Sequence, residues 1–463
     1  MTSAADIGGQ SRLHLTATSV LFPNHLAKQR AAAGLTRERL AELAQIELPL
    51  YVKIEEGELL PRYPEMDRLC GVLNVDPPQI FAYSIVNTVG DKRFWQDNAD
   101  YKTFYDSMAD ASRILVSPDE LAWLDKDVKP NRKTDVFLNM SCSTQFVPHL
   151  LLDTAAVLHA LGVDFQAGAG RLVCCGTYYR RTGKFEGADR MNAANVARVM
   201  AWGAQTHVHV CTQCVNTFSE ISRRYEFETG QPQGLRHLQL QRFIDERLTE
   251  MGDKVPWKKE VKTKILGHGH STYSLVHDTA KRDIQKLARH IPGVEFVGFI
   301  DRISIDSFCD SEPGVPKRPW PKTREEVEAY RDELAMVAES WGADTISPTH
   351  QTCLQRWEPF SSERADVRHI ISIMAEALGV GHVDRFKAAS RLGNTAAIVE
   401  QTRPIWSAWG MTEEHATGVA RDVFDPAYQT INDLCACGKN ATGACEHNDT
   451  ISLDVLKGTS RRT

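Results

Sequence analysis

The chain has 463 residues, of which 42% are hydrophobic and 25% are charged, as is typical of soluble globular proteins. Its length corresponds to about two to four domains, and its net charge of −6 argues against a polybasic protein built around nucleic acid or an anionic membrane. No apolar run approaches the roughly 18 residues of a transmembrane helix. Residues 1–23 lack the basic and apolar regions of a secretory signal, so we expect a cytoplasmic protein without membrane contact.

Changes in composition and periodicity divide the chain into six segments. Small polar residues dominate the start, short helical patterns follow, and alternating strands and helices fill the middle of the chain. A helix at about 118–124 is predicted within the connector, and the C-terminal segment is predicted to be loop-rich. The predicted segments are a tail (1–20), an all-α domain (21–85), a connector (86–133), a first α/β unit (134–225), a second α/β unit (226–395) and a C-terminal region (396–463).

The all-α segment contains short helices separated by tight turns. Helices are predicted at about 48–56 and 64–73, and Thr36 after Gly34 has the features of a helix N-cap. The motifs Leu26-Ala27-Lys28-x-Arg30, Gly34-Leu35-Thr36, Leu40-Ala41-x-Leu43-Ala44 and Ile54-Glu55-x-Gly57 resemble those of the Cro-type (XRE) helix-turn-helix domain. The resemblance implies a DNA-binding domain that places its third helix in the major groove, usually as part of a dimer.

The charges of this segment leave two functions open for it. The candidate DNA contacts are Arg37, Arg39 and Lys53, because cations can bind phosphates. However, residues 1–90 hold eight Lys and Arg against ten Asp and Glu, and the expected recognition stretch 47–53 is acidic and apolar. Both DNA binding and docking to another protein therefore remain open.

The first α/β unit carries five of the chain's eleven cysteines. Predicted strands at 136–139 and 206–210 end next to Cys142 and Cys211, at the sheet edge where ligand sites form. Thiolates suit iron–sulfur clusters or zinc, but five of them exceed the four ligands of an ordinary cubane or structural zinc site. The candidate ligands are Cys142, Cys174, Cys175, Cys211 and Cys214.

Their spacing is Cys-x31-Cys-Cys-Gly-x34-Cys-x2-Cys, with Arg180, Arg181, Gly183 and Asn195 between the cysteine pairs. This pattern resembles the cysteine-rich CCG domain of heterodisulfide reductase B subunits, which carry two such domains in tandem. The resemblance implies that the five cysteines ligate a noncubane [4Fe-4S] cluster.

The second α/β unit repeats the order of strands and helices but changes the candidate ligands. The positions equivalent to the five cysteines hold His270, Cys309, Asp310, His350 and Cys353. All five are of metal-binding types, so a second metal or cluster, such as a zinc bound by two histidines and two cysteines, is one interpretation. A repeat that has lost its metal is the other.

The C-terminal region holds a third candidate site, a Cys/His knot. It consists of Cys435, Cys437, Cys445 and His447, within 13 residues. Three cysteines and a histidine suit tetrahedral zinc, and they also faintly resemble the motif of CDGSH-type [2Fe-2S] proteins. Zinc and an iron–sulfur cluster both stay open for this site.

These features together predict a multidomain protein: an all-α helix-turn-helix domain, a pseudo-twofold α/β pair of CCG domains and a small Cys/His metal knot. The fusion favours a transcriptional regulator that senses redox or thiol/disulfide state through its cluster, acting as a homodimer or larger assembly. The alternative is a heterodisulfide-reductase-like subunit in which the helix-turn-helix is a docking module. Whether the chain is an enzyme stays open. An enzyme of this kind needs a redox partner protein, because the sequence has no dinucleotide-binding loop and no CxxCxxC run.

Overall fold

A computed structural model of the chain shows a helical N-terminal region, two α/β units with parallel sheets and a C-terminal group of helices. The structure describes residues 24–59, 61, 63–75, 80, 101–124, 133–177, 179, 185–231, 234–268, 275–300, 321 and 323–426.

The N-terminal region is a bundle of short helices: α1 (Leu26–Ala32), α2 (Arg37–Leu43), α3 (Leu48–Glu55) and α4 (Tyr63–Leu73). The predicted cap is confirmed, since the Thr36 hydroxyl accepts a hydrogen bond from the backbone N–H of Arg39. The helices bury one apolar face each, around a shared core that includes Leu40, Ile54 and Leu69.

The connector contains a helix in a different place from the predicted one. The helix α5 covers Tyr101–Arg113, whereas residues 118–124 form turns. The alternation of apolar and polar residues in α5 follows helical spacing, and its apolar face packs against the first α/β unit. Ser117 and Glu120 exchange the hydrogen bonds of a capping box, a local signal for the start of a helix, but Glu120 also pairs with Arg385 and the segment continues as turns.

The first α/β unit is built on strands β1 (Val136–Asn139), β2 (Phe165–Gly168), β3 (Thr206–His209) and β4 (Arg236–Gln239). All neighbouring pairs are parallel, and the order across the sheet is β2-β1-β3-β4. Strand β4 joins this sheet although it lies beyond the predicted boundary at residue 225. The helices that follow the strands are α6 (Pro148–Ala160), α7 (Phe185–Ala201), α8 (Thr212–Thr229) and α9 (Leu240–Met251).

The second unit repeats this topology. Its strands are β5 (Thr263–His268), β6 (Val294–Ile300), β7 (Thr345–Pro348) and β8 (Asp366–Val367), all parallel in the order β6-β5-β7-β8. Its helices are α10 (Leu275–His290), α11 (Arg324–Ser340), α12 (Gln351–Trp357) and α13 (Ile370–Ala377). The two units pack crosswise: α6 lies against α13, and α10 lies against α9. The helix after the first strand of each unit thus contacts the helix after the fourth strand of the other, as expected for a pseudo-twofold pair.

The C-terminal region is helical up to residue 424, so the prediction of a loop-rich segment is wrong there. Its helices are α14 (Arg385–Leu392), α15 (Thr395–Gln401), α16 (Arg403–Ala408) and α17 (Glu413–Phe424). Three of these helices begin at an N-cap residue whose side chain accepts a backbone hydrogen bond: Asp384, Asn394 and Thr412. The helices cover the connector: Trp409 donates a hydrogen bond to the carbonyl of Val116 over 2.8 Å.

Candidate metal centre

The five cysteines of the first unit converge at the carboxyl edge of its sheet. Cys142 lies three residues beyond β1, and Cys211 lies two residues beyond β3 at the N-cap position of α8, whose first turn holds Cys214. Cys174 and Cys175 follow a short 3-10 turn at residues 170–173, after β2. Because parallel strands end at one edge, chain segments distant in sequence deliver these thiols to one place.

The thiols form one buried, mutually contacting group. Cys174 contacts Cys142 and Cys175, while Cys214 contacts Cys175 and Cys211. None of the five is in a disulfide, and all are buried. Hydrogen bonds from Cys174 and Cys214 hold the pKa of Cys175 well below its ordinary value.

This donor set fits a polynuclear metal group. Five thiolates packed together away from water repel one another, and a bound cation offsets that repulsion. The number of soft sulfur donors exceeds the four that a structural zinc accepts. The arrangement therefore suits an iron–sulfur cluster better than a mononuclear site.

The backbone geometry at Gly176, the glycine of the CCG motif, requires a residue without a side chain. Its φ is +75°, a region that favours glycine, and a Cβ there would lie 3.0 Å from the Cα of Ala188. Its backbone N–H donates to the Cys174 Sγ over 3.3 Å. The turn thus directs a backbone donor at a candidate ligand while it lets α7 approach closely.

Two hydroxyl groups that the sequence motifs did not indicate complete the site. The Tyr105 hydroxyl, on α5, lies 2.8 Å from the Cys174 Sγ, and the Thr177 hydroxyl lies 3.1 Å from the Cys175 Sγ. Burial raises the pKa of Tyr105, which keeps its proton available for donation to sulfur. The aromatic character of the connector was the one sequence signal for Tyr105.

The second unit contributes Gln351 to the wall of this site. Gln351 forms a hydrogen bond with Cys211, and its amide Nε2 donates to the Ser143 hydroxyl over 3.1 Å. It stands between His350 and Cys353, in the segment equivalent to the CxxC of the first unit. The altered motif of the second unit therefore faces the cysteine site of the first.

The other candidate ligands are described only in part. His350 occupies the N-cap position of α12 and Cys353 lies in its first turn, and both are buried at the carboxyl edge of the second sheet. His268, at the end of β5, stacks on Trp357 with ring centroids 4.0 Å apart. The remaining predicted ligands lie outside the described residues: His270, Cys309, Asp310, Cys435, Cys437, Cys445 and His447.

The candidate DNA contacts are each paired with a carboxylate of the same bundle. Arg37 Nε lies 2.5 Å from Glu55, and Arg39 Nη1 lies 2.7 Å from Glu42. Lys53 Nζ lies 2.5 Å from a carboxylate oxygen of Glu58. These pairs reduce the positive potential that the bundle offers to a phosphate backbone.

The bundle also contacts the unit that holds the cysteines. Arg224 of α8 lies 3.2 Å from Glu65 of α4 and pairs with Glu220 as well, and its side chain is only 8% exposed. Phe227, one turn further along α8, packs against the core of the bundle. The helix that begins at Cys211 and Cys214 thus ends against the N-terminal bundle.

Among the described residues, no helix combines the length and the apolar character that a bilayer crossing requires.

Comparison with known proteins identifies two domains. Residues 24–80 match the model of a helix-turn-helix domain family, and residues 139–219 match the CCG cysteine-rich domain family. The chain therefore carries a helix-turn-helix domain fused to a CCG cysteine-rich region, as the sequence motifs predicted.

The curated relatives are heterodisulfide reductase subunits from species of Methanosarcina. The D subunit of dihydromethanophenazine:CoB–CoM heterodisulfide reductase from Methanosarcina acetivorans is 25% identical over 274 residues, covering 58% of this chain and 64% of the relative. The corresponding protein of the same name from Methanosarcina mazei is 26% identical over 270 residues, covering 57% of this chain and 63% of the relative. The chain thus spans less than two thirds of the length of these relatives.

Among solved structures, a hypothetical protein from Helicobacter pylori aligns with 12% identity and a TM-score of 0.35, over 79% of this chain and 77% of that chain. The CCG match and the reductase relatives support an iron–sulfur cluster in this protein.

Proposed function

We propose that this chain is an iron–sulfur electron-transfer subunit of the heterodisulfide-reductase type, with a noncubane [4Fe-4S] cluster on Cys142, Cys174, Cys175, Cys211 and Cys214. The observation that carries the proposal is the convergence of these five thiols at one sheet edge. The reductase relatives favour this alternative over the transcriptional regulator that the sequence analysis preferred.

The proposed reaction is the two-electron reduction of a disulfide: one S–S bond breaks, two protons are taken up and two thiols form. A cluster held by the five cysteines would supply one-electron transfer, so that two electrons would reach the disulfide in succession. The electrons come from a redox partner protein, since the chain shows no motif for a dinucleotide or a ferredoxin-type cluster.

The chain's own residues have three tasks in this proposal. The cysteines bind the metal group, and Gly176 N–H, Tyr105 and Thr177 direct hydrogen bonds at two of the sulfurs. Gln351 closes the side that faces the second unit. Burial of the sulfurs excludes water, which limits the exposure of the metal group to oxidants and solvent.

We propose two further metal sites, one in the second unit and one in the C-terminal region. His350 and Cys353, with His270, Cys309 and Asp310, are candidate ligands for a second metal or cluster in the second unit. Cys435, Cys437, Cys445 and His447 are candidate ligands for zinc or an iron–sulfur cluster. Iron and zinc contents of chains with Cys353→Ser or Cys445→Ser test these two sites separately.

The proposed function is tested by anaerobic purification of the whole chain, with iron, sulfide and zinc determined per chain. We expect about four irons and an EPR signal of the oxidised protein that differs from that of an ordinary cubane. Reduced viologen dye and the CoB–CoM heterodisulfide then serve as electron donor and acceptor. Zinc without sulfide, or a cluster that neither accepts electrons from the dye nor passes them to a disulfide, would contradict the proposal.

Loss of the Tyr105 hydroxyl is expected to lower the reduction potential of the cluster. A hydrogen bond to a ligand sulfur stabilises the more negative, reduced state, so Tyr105→Phe removes stabilisation from that state. One such bond contributes about 1 kcal/mol, or ~40 mV for a one-electron couple. An EPR-monitored redox titration measures the shift.

The control is Tyr225→Phe, because Tyr225 lies exposed on α8. We expect an unchanged potential for this variant. A rise in potential for Tyr105→Phe, or equal shifts in both variants, would show that Tyr105 does not act through its bond to Cys174.

We also propose that the helix-turn-helix domain is a protein-docking module. Support comes from the paired state of Arg37, Arg39 and Lys53 and from the contact of the bundle with α8 through Arg224. Leu48, at the start of α3, is 38% exposed. The first turn of this helix contains no basic residue that could contact a phosphate.

Reversing the charge of two candidate DNA contacts distinguishes a protein-docking domain from a DNA-binding domain. If the domain docks to protein, Arg39→Glu and Lys53→Glu change the affinity for duplex DNA by less than about threefold. A phosphate contact would instead reduce the slope of log affinity against log salt by about one per residue. Fluorescence anisotropy with mixed-sequence duplexes at several salt concentrations measures both, and a reduced slope would restore the regulator hypothesis.

A further inference from the structure

Three histidines of the first unit lie together on one face of its sheet. His207 and His209 are two residues apart on β3, so their side chains project to the same side. His237 on β4 is the register partner of His207. Helix α8 covers this face, and its Phe218 packs against all three rings.

Their ring nitrogens are close together and incompletely bonded. His209 Nε2 lies 3.2 Å from His237 Nδ1, and one nitrogen of each of the three rings lies within 4.8 Å of the other two. His207 and His209 are 1% and 0% exposed. Both nitrogens of His207 and the Nδ1 of His209 have no hydrogen-bond partner among the described residues.

Buried polar atoms without partners are costly, so this grouping calls for a ligand. Two nitrogens bound to one zinc at about 2.0–2.1 Å in tetrahedral geometry lie about 3.3 Å apart. The distance between His209 Nε2 and His237 Nδ1 agrees with that separation.

A fourth residue, Ser222, contacts His237 from outside the histidine cluster. The Ser222 hydroxyl lies 2.8 Å from His237 Nε2, the nitrogen that faces away from the other histidines. A metal-binding histidine typically donates its second N–H to such a partner, which fixes the ring and frees the other nitrogen for the metal.

We propose that His207, His209 and His237 bind a zinc(II) ion, with Ser222 holding His237 in position. Three imidazoles are a common donor set for zinc and leave one tetrahedral position for a small exogenous ligand. The site joins β3 and β4 two residues before Cys211, so it anchors the strand that delivers the CxxC segment. It uses nitrogen donors only and does not depend on which group the cysteines hold.

X-ray absorption at the zinc edge tests the site on the whole, cluster-loaded chain supplied with zinc(II). We expect zinc with nitrogen neighbours at about 2.0–2.1 Å, distinct from zinc bound to sulfur at about 2.3 Å. His237→Gln loses one nitrogen-bound zinc per chain. His159→Gln, at an exposed position of α6 on the same unit, retains it.

Absence of nitrogen-bound zinc in the wild-type chain, or its retention by His237→Gln, would overturn the proposal. If His237→Gln does not fold, Ser222→Ala decides: we expect a 10–100-fold weaker zinc affinity in chelator competition. An unchanged affinity for Ser222→Ala overturns the site. Iron content and EPR of the wild-type chain report the proposed function separately, so the two proposals can fail independently.

Discussion

Cys175→Ser is expected to remove most of the iron from the purified chain. Cys175 contacts both Cys174 and Cys214 and therefore links the two halves of the thiol group. A serine hydroxyl is a harder and far less acidic donor than a thiol, so it replaces a thiolate ligand poorly. We expect iron and sulfide to fall from about four to below about one per chain. Disulfide reduction should be lost with them, as measured by metal analysis, EPR and viologen oxidation.

Cys70→Ala is the matched control for this variant. Cys70 is buried in the core of the helical bundle, away from the sheet edge. Its replacement removes one sulfur without touching the candidate ligands, so iron content and activity should stay at the wild-type level. If Cys175→Ser kept its iron and an unchanged EPR spectrum, Cys175 would not be a ligand and the five-thiol assignment would be wrong.

Glu55→Ala is expected to open the helix-turn-helix domain. The Glu55 carboxylate is buried and accepts hydrogen bonds from Arg30, Arg37 and the Tyr51 hydroxyl. Its removal leaves the two guanidinium groups and the phenol without their shared partner. Breaking a buried pair costs about 3–5 kcal/mol, and the partial exposure of Arg37 favours the lower end of that range. Hydrogen exchange of the α1–α4 amides in the whole chain measures the loss.

The same network makes the domain sensitive to acid. Burial alone raises the pKa of Glu55, but the hydrogen bonds from Arg30, Tyr51 and Arg37 outweigh it and hold that pKa below its ordinary value of 4.5. A lowered folded-state pKa means that the stabilisation is complete above the unfolded-state value and is lost as the pH falls through the folded-state value. The opening free energy should therefore decrease below about pH 4.5 in the wild type and depend less on pH in Glu55→Ala.

Glu56→Ala is the control for both measurements. Glu56 is exposed and pairs with Arg37 over 3.1 Å, and an exposed pair of this kind contributes at most about 1 kcal/mol. Equal effects of Glu55→Ala and Glu56→Ala would mean that the buried network does not hold the bundle together.

Local patterns predicted the strands and helices that precede the thiols. Strand β1 at 136–139 was predictable because a short apolar run is typical of a buried parallel strand. The strand before Cys211 was predictable from its alternating pattern. Strand β4 was not, because Arg236 and His237 give it a polar pattern that only its place beside β3 explains. The helix α5 was missed because the aromatic residues around Tyr101 and Tyr105 were interpreted as part of a connector, although its apolar residues follow helical spacing.

The residues of the candidate site also divide into those that local sequence patterns indicate and those that only tertiary packing brings together. The convergence of the cysteines was predictable from their type and spacing, because parallel strands end at one sheet edge, and their role as ligands stays a prediction. Tyr105 and Gln351 were not, because each reaches the thiols from a separate part of the chain, and tertiary packing alone brings them there. The three histidines come together through the register between β3 and β4, which cannot be predicted from the local sequence.

The crosswise packing of the two units makes the pocket of the first depend on the presence of the second. The second unit supplies Gln351 to the first unit's thiol pocket while α13 and α10 support helices of its twin. The second unit therefore stabilises the thiol pocket of the first, whether or not it binds a metal of its own. Deleting the second unit should therefore expose the thiol pocket rather than release a smaller working protein.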